Sequence, residues 1–311
     1  MPVQHSRRDF IRANAVALLA AQFAACAAAA TAPSTAIRER GDLPGLPRGW
    51  REIRKLDAHN HVFGLGFRPD ADWAQVEALV EAAELLGIAK IYCSRPVTGG
   101  ALADIDVVRE SNDAVLAAMK RHPSRLGGYC FVQPGNGAAA LDEIERCVDA
   151  GMVGVKLYNQ FRYSDPAVFP IAEKCIERGI LFLGHSAFLT DARSRALQPK
   201  TSHALDFCAL SRRYPELLLI LGHINGGGDW EWQIKTLRDC PNVYVDTSGS
   251  VLEDPTIERC VRELGHHRVL FATDATMEGG VGKILSADLS PAQREDIFWR
   301  NFQRLLDRRR R

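Results

Sequence analysis

Neither sign of charge dominates this chain: 39 lysines and arginines stand against 38 aspartates and glutamates in 311 residues, a formal charge of +1. That balance gives no electrostatic reason to expect a nucleic-acid partner. The one dense basic run, residues 308–311, reads as a solvated chain end. No Cys-x-x-Cys occurs among the eight cysteines, which removes the common zinc and redox spacings. Phosphate-cradling glycine motifs are missing as well. No Gly-x-Gly-x-x-Gly follows the first strand-like run, and Gly226-Gly227-Gly228 lacks the Lys-Ser/Thr of a phosphate loop. The only extended apolar stretch, residues 13–30, is short, alanine-rich and mildly hydrophobic, a poor match to a membrane-spanning helix.

That stretch belongs to a separate object. It follows Ser6-Arg7-Arg8-Asp9-Phe10-Ile11 and precedes the small and turn residues Thr31-Ala32-Pro33-Ser34. Residues 1–32 therefore resemble a twin-arginine signal peptide, which implies the twin-arginine export machinery as a partner and a periplasmic or exported destination. Such signals carry proteins that are already folded. Phe23-Ala24-Ala25-Cys26 is a poor lipobox, so a lipid anchor at Cys26 is the lesser alternative. Residues 33–50, with Pro33, Pro44 and Pro47, read as a linker into a domain spanning 51–311. The other cysteines, at 93, 130, 147, 175, 208, 240 and 260, fall in predicted helices or strands. They read as small buried apolar groups with at most an incidental disulfide.

With 46% apolar residues, the chain can fill a full core, either one large α/β barrel or two modest domains. β-Branched or leucine-rich runs recur at 53–58, 89–93, 126–132, 153–157, 180–184, 217–222, 243–246 and 269–273. Their spacing of roughly 30 residues is what eight strand-helix units need. Helical periods lie between them. Trp73, Val76, Leu79, Val80, Ala83 and Leu86 stop at Gly87, and Leu141, Ile144 and Val148 precede Gly151. Asp165-Pro166, Asp254-Pro255 and Ser290-Pro291 each place a capping oxygen before a first-turn proline. Leu217-Leu218-Leu219-Ile220-Leu221 is apolar on both faces, as a parallel strand covered by helices must be. The fold class expected is α/β, a TIM-type (β/α)8 barrel.

Polar residues placed on this frame converge. Asp57-Ala58-His59-Asn60-His61 closes the first strand, and a period of two puts His59 and His61 on one side. His185 ends the fifth strand, His223 the sixth and Asp274 the eighth. All sit at carboxyl ends, the rim where a barrel gathers catalytic side chains. Lys156, ending the fourth strand, points at the same centre. It reads as an amine paired with a carboxylate such as Asp274, or, if carbamylated, as a bridge between two metals. Arg95 and Arg162, on loops above the rim, read as a clamp on a substrate carboxylate or as surface arginines. Trp230 and Trp232 either wall the pocket or pack a helix. His122, His203 and His266-His267 lie off the rim and read as surface or capping groups.

The order His-x-His, His, His, Asp on strands one, five, six and eight resembles the amidohydrolase superfamily. The likeness is to its amidohydrolase-related branch of decarboxylases, lactonases and hydratases, and covers roughly residues 53–306. Gly154-Val155-Lys156-Leu157, Gly222-His223-Ile224-Asn225-Gly226-Gly227, Asp246-Thr247-Ser248-Gly249, Phe271-Ala272-Thr273-Asp274 and Asn301-Phe302-Gln303-Arg304-Leu305 support it. Ile224-Asn225 and Ala272 depart from the commoner pattern without touching an expected ligand. The resemblance implies His59, His61, His185 and Asp274 around one divalent ion, zinc being the first expectation and a second ion the alternative. Asp274 would be general base to an activated water, and His223 would polarise the substrate carbonyl. The reaction expected is hydrolysis of a C–O or C–N bond in a small carboxylated substrate. Decarboxylation on the same residues is the alternative, an exported metal- or solute-binding protein without turnover a third reading, and assembly into a homo-oligomer is left open.

Overall fold

The computed structural model describes residues 46–63, 72–97, 102–224, 226, 229–249 and 255–309. The expected signal, Cys26 and most of the linker lie outside the described residues. Eight parallel strands follow in chain order: β1 (Lys55–His61), β2 (Ile88–Ser94), β3 (Leu126–Phe131), β4 (Gly154–Leu157), β5 (Leu181–His185), β6 (Leu218–Gly222), β7 (Val243–Asp246) and β8 (Val269–Leu270). Each pairs with the next in sequence. The ring closes just beyond β8, where Ala58 N–H donates to Phe271 O and Asp274 N–H to His59 O, both at 3.0 Å. The result is a TIM-type (β/α)8 barrel.

Around it run α1 (Trp73–Leu85), α2 (Ile105–Arg121), α3 (Ala138–Asp149), α4 (Phe169–Glu177), α5 (Ala192–Leu197), α6 (Ala204–Arg213), α7 (Trp230–Leu237), α8 (Thr256–Leu264), α9 (Met277–Ser286), α10 (Pro291–Glu295) and α11 (Asn301–Arg308). The punctuation works as its chemistry requires. Gly87 follows α1 at φ +68°, where an added Cβ would meet Arg51 O at 2.0 Å, so glycine is required there. Ser290 and Gln293 form a reciprocal capping box on α10. Pro255 caps α8 instead of opening it, because the helix begins at Thr256; Asp254 lies outside the described residues.

Strand side chains alternate between two apolar clusters. Leu56, Ala58, Tyr129, Leu181, Leu183, Ile220 and Leu270 fill the barrel, while Ile91, Val155, Phe182, Leu219 and Leu221 pack under the helices. Phe302, Leu305 and Leu306 of α11 join the inner cluster and cover the end formed by the strand starts. The opposite end is left to polar residues. A disulfide, Cys208–Cys240, ties α6 to the segment after α7, and Cys93, Cys130, Cys147, Cys175 and Cys260 are buried free thiols.

Candidate metal centre

The first strand needs a break in its alternation to make the centre. Asp57 pairs with Ile91 and Asn60 with Cys93, three steps on β1 against two on β2, so a bulge lies between them. Leu56 and Ala58 face the barrel interior below it. After the extra residue His59 and His61 face inward instead of continuing the phase of Asp57. There His59 lies 4.6 Å from the His223 ring and 5.3 Å from the His61 ring, and His185 lies 4.7 Å from His223, centroid to centroid. Gly222 permits this approach, since a Cβ there would stand 3.2 Å from His59 Cε1 and 2.8 Å from Gly184 O. His223, Asp274 and Ala275 adopt left-handed backbone at φ +68°, +47° and +67°. Strained non-glycine residues gathered at one rim mark a site held by its surroundings.

Hydrogen bonds set the imidazole tautomers. Asp246, fully buried at the end of β7, faces His59 Nδ1 with its Oδ2 at 2.8 Å. Asp246 Oδ1 accepts from His223 N–H at 2.9 Å and from Ser248 Oγ at 2.5 Å. Burial pushes the Asp246 carboxyl up, but His59, His223 and Ser248 outweigh it and hold it well below the usual carboxylate range. As a carboxylate it accepts a hydrogen bond from His59 Nδ1–H, which leaves Nε2 a lone pair. Ser94 O, an acceptor only, lies 3.1 Å from His61 Nδ1 and fixes that proton likewise.

His61 Nε2 then faces Asp274 Oδ1 at 3.0 Å, a lone pair against a carboxylate oxygen. Among the described residues, no hydrogen bond reaches the buried Asp274 Oδ1 or the buried His185 Nδ1. Two acceptors about 3 Å apart are what ligands about 2.1 Å from a shared cation present. His59, His61 and Asp274 each offer a donor atom, all within 4.8 Å of one another, so the residues fit a divalent ion. Burial, with Lys156 beside it, lowers His59; burial and His223 lower His185 further; burial takes His223 to about 3. These imidazoles are neutral at pH 7, the form a metal requires.

His185 stands at the edge of this group, stacked on Tyr158 at 4.2 Å between centroids. Lys156 is buried, but its partner differs from the expected carboxylate: Nζ lies 2.6 Å from His59 Nε2. Burial lowers its amine to about 8 despite Asp274 and Asp246 nearby. Tyr158, His185, His223 and Asp274 face a cavity of about 370 Å³. Arg95 is buried with its guanidinium over the Phe63 ring, 5.5 Å to the centroid, and Arg162 pairs with Asp206 at 3.4 Å in a neighbouring cavity. Neither lines the cavity of the centre among the described residues. Trp230 is buried and Trp232 exposed, and neither lines that cavity. His122 and His203 sit at helix caps and His266 pairs with Asp296. The residue that sequence reading missed is Asp246. Its signal was a carboxylate ending the seventh run, at the same rim as the others.

Against known proteins, the sequence profile described as amidohydrolase matches residues 56–308. Among solved structures, the chain is similar to 2,6-dihydroxybenzoate decarboxylase from Rhizobium, with 19% identity over 81% of this chain and 98% of that one, TM-score 0.64. It is similar to a dihydroxybenzoic acid decarboxylase from a Polaromonas species holding manganese and 2-nitroresorcinol, with 22% identity, 81% and 96% coverage and TM-score 0.62. A 5-carboxyvanillate decarboxylase from Novosphingobium aromaticivorans, complexed with manganese and a nitrobenzoic acid, matches at 16% identity, 83% and 97% coverage and TM-score 0.64.

Proposed function

Because this chain belongs to the amidohydrolase family, and is an enzyme of it, we propose that it is a metal-dependent decarboxylase of a small hydroxylated aromatic acid. The observation that carries the reading is the donorless pair His61 Nε2 and Asp274 Oδ1 beside a cavity of suitable size. His59, His61, His185 and Asp274 would hold the ion, manganese before zinc, since similar structures hold manganese. When bound, it supplies Lewis acidity to a substrate carboxylate or phenolate.

The protein's own part is orientation and proton handling. Loss of CO2 leaves an electron pair on carbon that one proton must fill. Asp274 Oδ2 and His223 Nδ1, 3.4 Å apart beside the cavity, are placed to carry that proton. Ser248 Oγ, 2.9 Å from His223 Nδ1, steadies the ring. Decarboxylation is preferred over the hydrolysis expected from sequence because the three similar structures named above are decarboxylases of aromatic acids. Hydrolysis remains the second reading, favoured by the family to which the chain belongs.

The test is a panel of hydroxybenzoates, lactones and amides given to metal-loaded protein, scored for CO2 and for acid release. CO2 in step with loss of a hydroxybenzoate, abolished by Asp274→Asn, is the expected result. Acid released from a lactone or amide without CO2 transfers the assignment to hydrolysis.

A further inference from the structure

The cavity of the centre does not end at His185. Ala187, Leu189 and Gln198 line it and also line a second cavity of about 340 Å³. The two therefore adjoin along the segment after β5, as an inner and an outer chamber. The outer chamber has a different chemistry. It is walled by Phe188 and edged by Arg162 and Arg195.

Those arginines are not equivalent. Arg162 is tethered: Nη1 reaches Asp206 Oδ2 at 3.4 Å and Nη2 donates to Pro199 O at 3.2 Å, so its charge is balanced. Asp206 is itself fixed by Ser164 Oγ at 2.6 Å and by His203 N–H at 3.1 Å. The Arg195 guanidinium has no carboxylate or other partner among the described residues, and no Asp or Glu lines the chamber. His203, lowered by burial, adds no charge at neutral pH. One positive charge without a carboxylate partner among the described residues thus stands, solvent-exposed, at the edge of the outer chamber.

The junction is also polarised. Gln198 Oε1 accepts from Asn159 Nδ2 at 2.9 Å and from Thr201 Oγ1 at 3.3 Å, which leaves its amide NH2 as a donor between the chambers. A simple hydroxybenzoate seated at the centre would leave this arrangement without an occupant.

Resting on the decarboxylase reading, we propose that the substrate is an extended diacid, its reacting carboxyl group in the inner chamber and a second carboxylate held in the outer chamber by Arg195 and Arg162. Arg195 supplies charge and Arg162 a pre-positioned donor fork. Phe188 packs the connecting body of the substrate.

Calorimetry on manganese-loaded protein tests it, with benzoate and benzoates bearing a carboxymethyl, carboxyethyl or carboxypropyl arm as probes. At least one armed acid is expected to bind about tenfold more tightly than benzoate, as one charge-assisted contact provides. Arg195→Gln should bring that ratio near unity, while Arg193→Gln, an exposed neighbour outside the cavity, should leave it. The inference is overturned if no armed acid exceeds benzoate, if none of the acids binds, or if Arg195→Gln weakens benzoate and its armed relatives alike. Failure of the functional reading looks different. Benzoate would then bind equally well after chelation of the metal, whatever the ratio, and the CO2 assay would be negative.

Discussion

Asp246 shows how a side chain that touches no substrate can decide what the centre does. Its carboxylate holds His59 Nδ1 at 2.8 Å and the His223 backbone N–H at 2.9 Å, so it sets one tautomer and one loop together. Asp246→Asn should cost 10- to 100-fold, roughly, in metal affinity, the usual effect of removing an outer partner. Competition titration against a chelating dye measures this, and unchanged affinity would remove Asp246 from the centre. The same rim makes an acid-sensitive fold. Burial takes His223 to about 3 and lowers His59 and His185 as well, whereas unfolded histidine takes its proton near pH 6.5. The folded values are depressed, so this stability is present above the unfolded pKa and is lost as pH falls towards the folded ones. Each independent group contributes a slope of about 1.4 kcal/mol per pH unit. Urea unfolding of metal-free protein should therefore weaken from pH 7 to pH 5, and His223→Gln should flatten the slope. A slope untouched by that change refutes the assignment.

At the scale of elements, β1 is where sequence and structure part. The apolar-polar run suggested residues 53–58, but the strand is Lys55–His61. Lys55 sets the start, because its Nζ donates to Trp50 O at 2.7 Å and to Ile53 O at 2.8 Å and holds the preceding turn against the barrel. The bulge after Asp57 was not legible either. It depends on register against β2, and periodicity within one strand carries no register. His185, His223 and Asp274 were legible because each directly follows an apolar run, and a run of that kind ends at the rim whatever its exact start. The closing seam has its own chemistry. Thr273 Oγ1 donates to Asp57 Oδ2 at 2.5 Å and Thr273 N–H to Asp57 Oδ1 at 3.1 Å, while Asn60 Nδ2 reaches Asp57 Oδ2 at 2.9 Å. Burial raises the Asp57 carboxyl to about 7 even against these bonds, so the group depends on its donors. Thr273→Val removes one donor at constant shape and should cost about 1–3 kcal/mol in denaturant unfolding. Thr273→Ser should recover most of it, and a neutral Thr273→Val would show that the seam holds without the hydroxyl.

For the whole molecule, the barrel gathers β1, β4, β5, β6, β7 and β8 around one mouth, and the strand count and spacing that do so were readable as eight apolar runs. Partner choice was less readable. Lys156 sits on the His59 lone pair at 2.6 Å, where a carboxylate had been the expected partner, because only the closed ring shows which side chains face one another across it. That contact bears on how many ions the centre takes. A bridging carbamate needs an uncharged amine and two ions to hold, whereas His59, His61 and Asp274 gather their donor atoms into one set, and Lys156 must yield the His59 lone pair for an ion to take it. One equivalent of metal is the expected stoichiometry. Since the unfolded chain scatters these ligands, loading at a hundredfold excess over Kd should add about 2.7 kcal/mol of stability. Elemental analysis and thermal unfolding with manganese, and again after chelation, check both expectations. Two equivalents, with the mass of one CO2 added at Lys156, would overturn the single-ion centre and restore the bridging lysine.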